Sequence, residues 1–112
     1  MKITFGDKRI EKLVNDIKSL QKSYGSIGAK IIRRRLDDLQ AAYTLEDIRY
    51  LPGKYHELKE NRKGQLATHL EEPNRLIFMP DHNPIPLTES GSLNWKAINC
   101  IKIIEITNYH GK

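Results

Sequence analysis

The sequence predicts an α+β domain in which an N-terminal helical hairpin packs on a small antiparallel sheet. In the first half, apolar residues recur every three to four positions, as on one face of a helix. In the second half, short runs alternate apolar and polar residues, as in strands with one buried face. The 112 residues have the length of one domain, and no repeat or linker divides residues 1–112.

The helical half begins after a short strand predicted for residues 2–5, where polar and apolar side chains alternate. Gly25 predicts the end of the first helix, and Ser26 the N-cap of a second helix that runs to about Tyr43. The apolar face of the first helix consists of Ile10, Leu13, Val14, Ile17 and Leu20. Two successive amphipathic helices joined by a tight turn predict a helical hairpin.

The second half predicts strands separated by polar turns. Residues 55–58, 65–70 and 75–79 are short, alternating segments. Residues 80–96 carry three prolines and predict a long loop. Residues 97–107 are almost continuously apolar, which predicts the central strand of the sheet.

The charge and the cysteine content limit the function classes. The net charge is +5 and the basic excess falls within residues 1–63, which favours a phosphate backbone, an anionic membrane face or an acidic protein as partner. No apolar run is long enough to span a membrane, and no signal peptide is predicted. The single cysteine, Cys100, excludes an internal disulfide, and we expect a cytoplasmic protein. The four histidines and Cys100 show no metal-ligand spacing, so no metal or cofactor is expected.

Four residues are candidates for chemistry. His56 lies in a short polar segment, and imidazole exchanges protons near neutral pH. Arg75 opens a predicted strand beside apolar neighbours, where a guanidinium can neutralise charge on a phosphate. Tyr109 and His110 follow directly on the most apolar strand, which is a rigid support for catalytic side chains.

Four segments in order resemble the HigB branch of the RelE/ParE toxin superfamily. They are LPGKYHELK at 51–59, RKG at 62–64, NRLIF at 74–78 and IEITNYH at 104–110. The order of two helices followed by a sheet matches as well. The resemblance implies a RelE-like fold over residues 1–112 and a toxin of a type II toxin–antitoxin system.

The resemblance also implies a reaction and partners. Such toxins bind the ribosome and cut mRNA without a metal, by attack of the RNA 2′-hydroxyl on the adjacent phosphate. A cognate antitoxin, expected to be a helix-turn-helix protein, binds the toxin in a hetero-oligomer. His56 would be an acid or a base, Arg75 the phosphate clamp, and Tyr109 and His110 partners in orientation or proton transfer. RNA-binding roles fall on Lys54, Lys59, Arg62, Lys63, Asn74 and Asn108.

The sequence departs from the family pattern at several positions. Asn108 replaces the Asp that often precedes the terminal Tyr-His pair, and an amide cannot take a proton. Two aromatic positions of the family carry Gln65-Leu66 and Asn74 here. Base stacking is therefore expected from Tyr109, Tyr55 or Trp95, although a core role is also consistent with Trp95.

Two other functions stay open at this point. The ParE branch of the superfamily inhibits gyrase without cutting RNA, but it usually lacks the histidine and the terminal Tyr-His pair. A non-catalytic member of the fold would instead act by binding RNA or a partner protein, and Asn108 keeps that alternative open. Neither the codon preference nor the assignment of acid and base between His56 and His110 follows from the sequence.

Overall fold

A five-stranded sheet with helices on one face forms the fold, in a computed structural model that describes residues 1–108. The strands are β1 (Lys2–Phe5), β2 (His56–Glu57), β3 (Leu66–His69), β4 (Arg75–Pro80) and β5 (Cys100–Thr107). Their order across the sheet is β1-β5-β4-β3-β2. Helices α1 (Lys8–Val14) and α2 (Ile17–Ala41) complete the α+β architecture, which confirms the predicted fold class.

The sheet is mixed, whereas the sequence predicted antiparallel pairing throughout. Strand β5 pairs in parallel with β1, and the pairs β5–β4, β4–β3 and β3–β2 are antiparallel. Strand β5 is interior and bonded on both sides, but β4 occupies the centre of the sheet. Alternation within a segment does not record which distant segment becomes its neighbour, so the sequence could not show this pairing.

The predicted helices are present, but an additional break near Asp16 divides the first of them. Asp16 caps α2 by accepting hydrogen bonds from Lys18 N (3.1 Å) and Ser19 Oγ (2.8 Å), so α1 ends at Val14. Ile17, expected on the buried face of the first helix, is 46% exposed as a result. The predicted break at Gly25 is present, since its backbone is not helical (φ 76°, ψ 172°) and it separates two helical stretches within α2.

The main core lies between α2 and one face of the sheet. From the sheet it receives Leu66, Leu76, Phe78, Ile101 and Ile103, and from α2 it receives Leu20, Ala29, Ile32, Leu36 and Leu39. A second, smaller cluster lies on the opposite face of the sheet and consists of Leu58, Ala67 and Ile77, with Ile104 packed against it. We call this opposite side, whose buried cluster contains no residue of α1 or α2, the open face.

The long loop at 80–96 is hydrogen-bonded to Glu57 of β2. Trp95 is 5% exposed, and its Nε1 donates to Glu57 Oε2 at 2.9 Å. The Leu93 N–H donates to the other oxygen of Glu57 at 3.3 Å, and the Arg49 guanidinium lies over the indole ring at 4.1 Å. The loop is therefore tied to the residue that follows His56 in the chain.

Candidate active site

The open face collects polar side chains from three strands. Residues directly opposite each other in neighbouring strands share a face of the sheet. The register places His56 opposite Ala67, His69 opposite Arg75, and Arg75 opposite Thr107. Because Ala67 and His69 are two positions apart in β3, all of these residues lie on the open face.

His56 is held by the backbone immediately before it. Its Nδ1 lies 2.7 Å from the carbonyl oxygen of Lys54. A carbonyl only accepts hydrogen bonds, so Nδ1 must carry the proton and Nε2 is the nitrogen that exchanges protons with solvent or substrate. Lys54 has φ +51°, an uncommon conformation for a residue with a side chain, and it turns the carbonyl towards the imidazole.

The loop before His56 is fixed to β3 through Gly53. The Gly53 carbonyl accepts hydrogen bonds from His69 N (2.7 Å) and Thr68 Oγ1 (2.9 Å). The Arg35 Nε of α2 donates to the His69 carbonyl at 2.9 Å. The helix, the loop and the strand therefore meet at the point where His56 and His69 arise.

His69 and Glu72 connect the two predicted catalytic residues of this face. The imidazole rings of His56 and His69 lie edge to face, with their centroids 6.0 Å apart. The Glu72 carboxylate contacts His69 Nδ1 at 3.3 Å with one oxygen and Arg75 Nη1 at 3.0 Å with the other. Arg75 Nη1 also donates to the Asn74 carbonyl at 2.9 Å. We call His56, His69, Glu72 and Arg75 the open-face cluster.

Burial and charge shape the protonation of this cluster. Desolvation lowers the pKa of His69, and the nearby positive charge of Arg75 lowers it further against the smaller opposing effect of Glu72. The hydrogen bond from Arg75 lowers the pKa of the exposed Glu72 carboxyl. At neutral pH, Glu72 is thus a carboxylate beside a guanidinium, and His69 is neutral.

The residues expected to bind RNA fall into two groups. Lys54, Lys59 and Lys63 are exposed, as is Asn108. Arg62 is instead held against the sheet, since it donates to Gln65 Oε1 and to Glu105 Oε2, both at 2.8 Å. Asn74 is half-buried in the turn before β4, where its N–H donates to the Glu71 carbonyl and its own carbonyl accepts from Leu70 N.

Two of the three expected stacking residues are core residues. Tyr55 is 6% exposed and packs edge to face against Phe78, and Trp95 is anchored as described above. The stacking role for these two rings is therefore wrong, and the core role of Trp95 is confirmed. Tyr109 and His110 lie outside the described residues.

The sequence indicated that His69 faces away from the core, towards solvent or the cleft, but neither His69 nor Glu72 was chosen as a site residue. Leu66, Thr68 and Leu70 share one face of this segment, which is the core face. His69 lies between them in the sequence and therefore points to the opposite face. That parity was the available signal. Glu72 gave none, because a glutamate in a polar turn has no pattern that distinguishes it from its neighbour Glu71.

Comparison with solved structures finds chains that share the fold of this protein. The structure of the YoeB dimer from Staphylococcus aureus matches over 98% of this chain and 97% of that chain, with 22% sequence identity and a TM-score of 0.56. The two chains share a fold. No protein-family model matches the sequence. No curated protein matches it either.

Among residues 1–108, no three His, Cys, Asp or Glu side chains come together in a group that could hold a metal ion. In the same part of the chain, no helix has both the length and the apolar character needed to cross a membrane.

Proposed function

We propose that this protein is the toxin of a type II toxin–antitoxin system, a ribosome-dependent endoribonuclease that cuts mRNA. The observation that carries the proposal is that His56 and Arg75 lie on the same face of the sheet, with His69 and Glu72 connecting them. The fold shared with a YoeB toxin supports it, as does the resemblance of four sequence segments to HigB toxins.

The proposed reaction is an intramolecular transesterification of an RNA phosphodiester. The 2′-oxygen attacks the adjacent phosphorus as a base removes its proton, and the bond from phosphorus to the 5′-oxygen breaks as an acid protonates the leaving oxygen. The products are a 2′,3′-cyclic phosphate and a 5′-hydroxyl. DNA lacks the 2′-hydroxyl, so the reaction is specific for RNA.

His56 has the geometry for one of the two proton transfers. The Lys54 carbonyl holds Nδ1–H, so neutral His56 presents the Nε2 lone pair and can act as the base. Arg75 supplies the cation for the charge that develops on the phosphate oxygens. Its side chain is 15% exposed, which limits its motion and reduces screening by water.

Tyr109 and His110 are proposed for the remaining roles, in orientation of the phosphate and protonation of the leaving oxygen. Thr107, two residues before Tyr109, pairs with Arg75 in the sheet. The proposed partners are mRNA in the ribosome and a cognate antitoxin of the helix-turn-helix type in a toxin–antitoxin hetero-oligomer. The proposed site of action is the cytoplasm, since translation takes place there.

Induced expression with mapping of mRNA 5′ ends tests the proposal. We expect growth arrest and new 5′ ends within translated messages, and loss of both effects in the double variant His56→Ala/Arg75→Ala. The matched control is His82→Ala/Arg34→Ala, which removes the same residue types in the 80–96 loop and on the exposed side of α2. A His56→Ala/Arg75→Ala protein that is soluble and still fully toxic would rule out this mechanism.

A further inference from the structure

His69 contacts the His56 ring directly and is connected to Arg75 through Glu72. Its ring meets the His56 ring at a centroid distance of 6.0 Å. Its Nδ1 meets Glu72 Oε1 at 3.3 Å, and Glu72 Oε2 meets Arg75 Nη1 at 3.0 Å. His56 and Arg75 arise from β2 and β4, and His69 lies on the strand between them.

The surroundings of His69 limit its movement. Its side chain is 26% exposed. Its backbone N–H donates to the Gly53 carbonyl, and its backbone carbonyl accepts a hydrogen bond from Arg35 Nε. His56, by contrast, is exposed on a strand of two residues at the edge of the sheet. An exposed ring on so short a strand depends on its neighbours for a fixed orientation, and those neighbours are the Lys54 carbonyl and the His69 ring.

Glu72 contributes orientation rather than stability. Its side chain is 65% exposed, and ion pairs of exposed groups contribute little to the free energy of unfolding. A carboxylate with one oxygen on His69 and the other on Arg75 nevertheless restricts the guanidinium to one position.

We propose that His69 is a positioning residue of the RNA-cutting site, which fixes the Arg75 guanidinium through Glu72 and the His56 imidazole through its ring edge. This inference rests on the proposed function. Displacement of a catalytic group by about 1 Å can cost 10²-fold in rate. The neutral state that burial and Arg75 favour in His69 suits the role, because a neutral ring repels neither Arg75 nor a protonated His56.

Single-turnover cutting of mRNA on purified, programmed ribosomes tests the inference, with ribosome affinity measured separately. For His69→Ala we expect a rate about 10- to 100-fold lower, with affinity changed less than about threefold. His69→Asn places an amide donor near the position of Nδ1 and should recover much of the lost rate. His69→Phe keeps a ring but cannot donate to Glu72, so it should recover less.

Glu72→Gln supplies a variant that is expected to fold, because the side chain is mostly exposed. It should slow the cut while leaving the melting temperature near that of the original protein, and the control Glu71→Gln at the neighbouring exposed position should cut at the original rate. In an Arg75→Lys background, His69→Ala should cost much less than it does alone, because the two changes act on one group.

The outcomes separate this inference from the proposed function. A His69→Ala protein that cuts at the original rate would overturn the inference while His56→Ala and Arg75→Ala still lose activity. Equal losses of more than about 10³-fold in the Ala, Asn and Phe variants would also overturn it, because His69 would then transfer a proton itself. An original protein that does not cut ribosome-bound mRNA would overturn the proposed function, and this inference with it.

Discussion

The Gly53 carbonyl accepts a hydrogen bond from the Thr68 hydroxyl at 2.9 Å and brings the loop that carries His56 against β3. Gly53 has φ +125°, and an added Cβ would lie 2.5 Å from Thr68 Oγ1 and 2.7 Å from Arg35 Nε. Both the backbone conformation and the close approach therefore require glycine. The position of the open-face cluster depends on this contact.

Gly53→Ala should lower the free energy of unfolding by about 3 kcal/mol, since it adds steric conflict to an unfavourable φ. Denaturation in guanidinium chloride measures the change. Gly64→Ala is the matched control, because Gly64 has φ +94° but nothing lies within 4 Å of the added Cβ. It should cost about 1 kcal/mol. Equal losses in the two variants would show that the approach to Thr68 and Arg35 has no steric effect.

Tyr55→Phe should leave the protein as stable or make it up to about 1 kcal/mol more stable. The Tyr55 hydroxyl is buried and makes no hydrogen bond of good geometry among the described residues, and the nearby Thr68 hydroxyl compensates its burial only in part. Its removal therefore relieves a desolvation cost. Denaturation at pH 7 measures this, with Tyr43→Phe as control because Tyr43 is 86% exposed. A clear loss of stability in Tyr55→Phe alone would indicate a hydrogen bond that the structure lacks.

The same residue predicts a stability change in alkali. Burial raises the pKa of Tyr55 to about 12, against smaller opposite effects of Thr68 and Arg35. An unfolded tyrosine ionises near pH 10, so this contribution to stability is intact below about pH 10 and is lost as the pH rises towards 12. Between those values the original protein should lose roughly 2 kcal/mol more than Tyr55→Phe. Parallel stability curves for the two proteins up to pH 12 would contradict the pKa shift.

Much of this architecture could be predicted from the sequence, because strands and helices leave local periodicities. The alternation around Leu66 and Leu76 predicted two strands, and it also indicated that His69 lies away from the core. The break at Asp16 was missed because the apolar spacing continues through Ile17, while the cap that begins α2 is a polar contact of Asp16 with Ser19. Capping and periodicity conflicted there, and the cap prevailed.

The site was harder to predict than the fold, because it depends on register. Nothing in the sequence states that His69 lies opposite Arg75, or that Arg75 lies opposite Thr107. The orientation of His56 depends on a carbonyl at Lys54, and a backbone atom has no residue-specific pattern. His56 and Arg75 could be chosen as candidates from their chemistry and from the family resemblance, whereas their contacts with His69 and Glu72 became visible only in the structure.

Glu57→Ala should loosen the loop at 80–96 without disrupting the sheet. It removes the acceptor of Trp95 Nε1 and of Leu93 N, and a lost hydrogen bond to a charged group costs about 1–3 kcal/mol. The single tryptophan makes the change visible as a red shift in fluorescence and as faster proteolysis within the loop. Glu89→Ala, in the exposed part of the same loop, is the control and should change neither property. An unshifted emission spectrum in Glu57→Ala would show that other contacts hold Trp95.

Arg62 and Lys63 are neighbours with the same charge, and the structure predicts different consequences of losing each. Arg62→Ala removes hydrogen bonds to Gln65 and Glu105, and because the side chain is only 24% exposed it should cost about 1 kcal/mol of stability. Lys63→Ala removes an exposed side chain and should change stability by less than about 0.5 kcal/mol.

For RNA binding, we expect Lys63→Ala to have a larger effect than Arg62→Ala. If Lys63 contacts a phosphate, its loss should weaken binding uniformly across RNA sequences and lower the salt dependence of log K by about 1. Arg62→Ala should alter that slope less, because Glu105 already offsets its charge. Denaturation and RNA titrations over a range of salt concentrations measure both effects. A larger change of slope in Arg62→Ala than in Lys63→Ala would show that Arg62 leaves Glu105 when RNA binds.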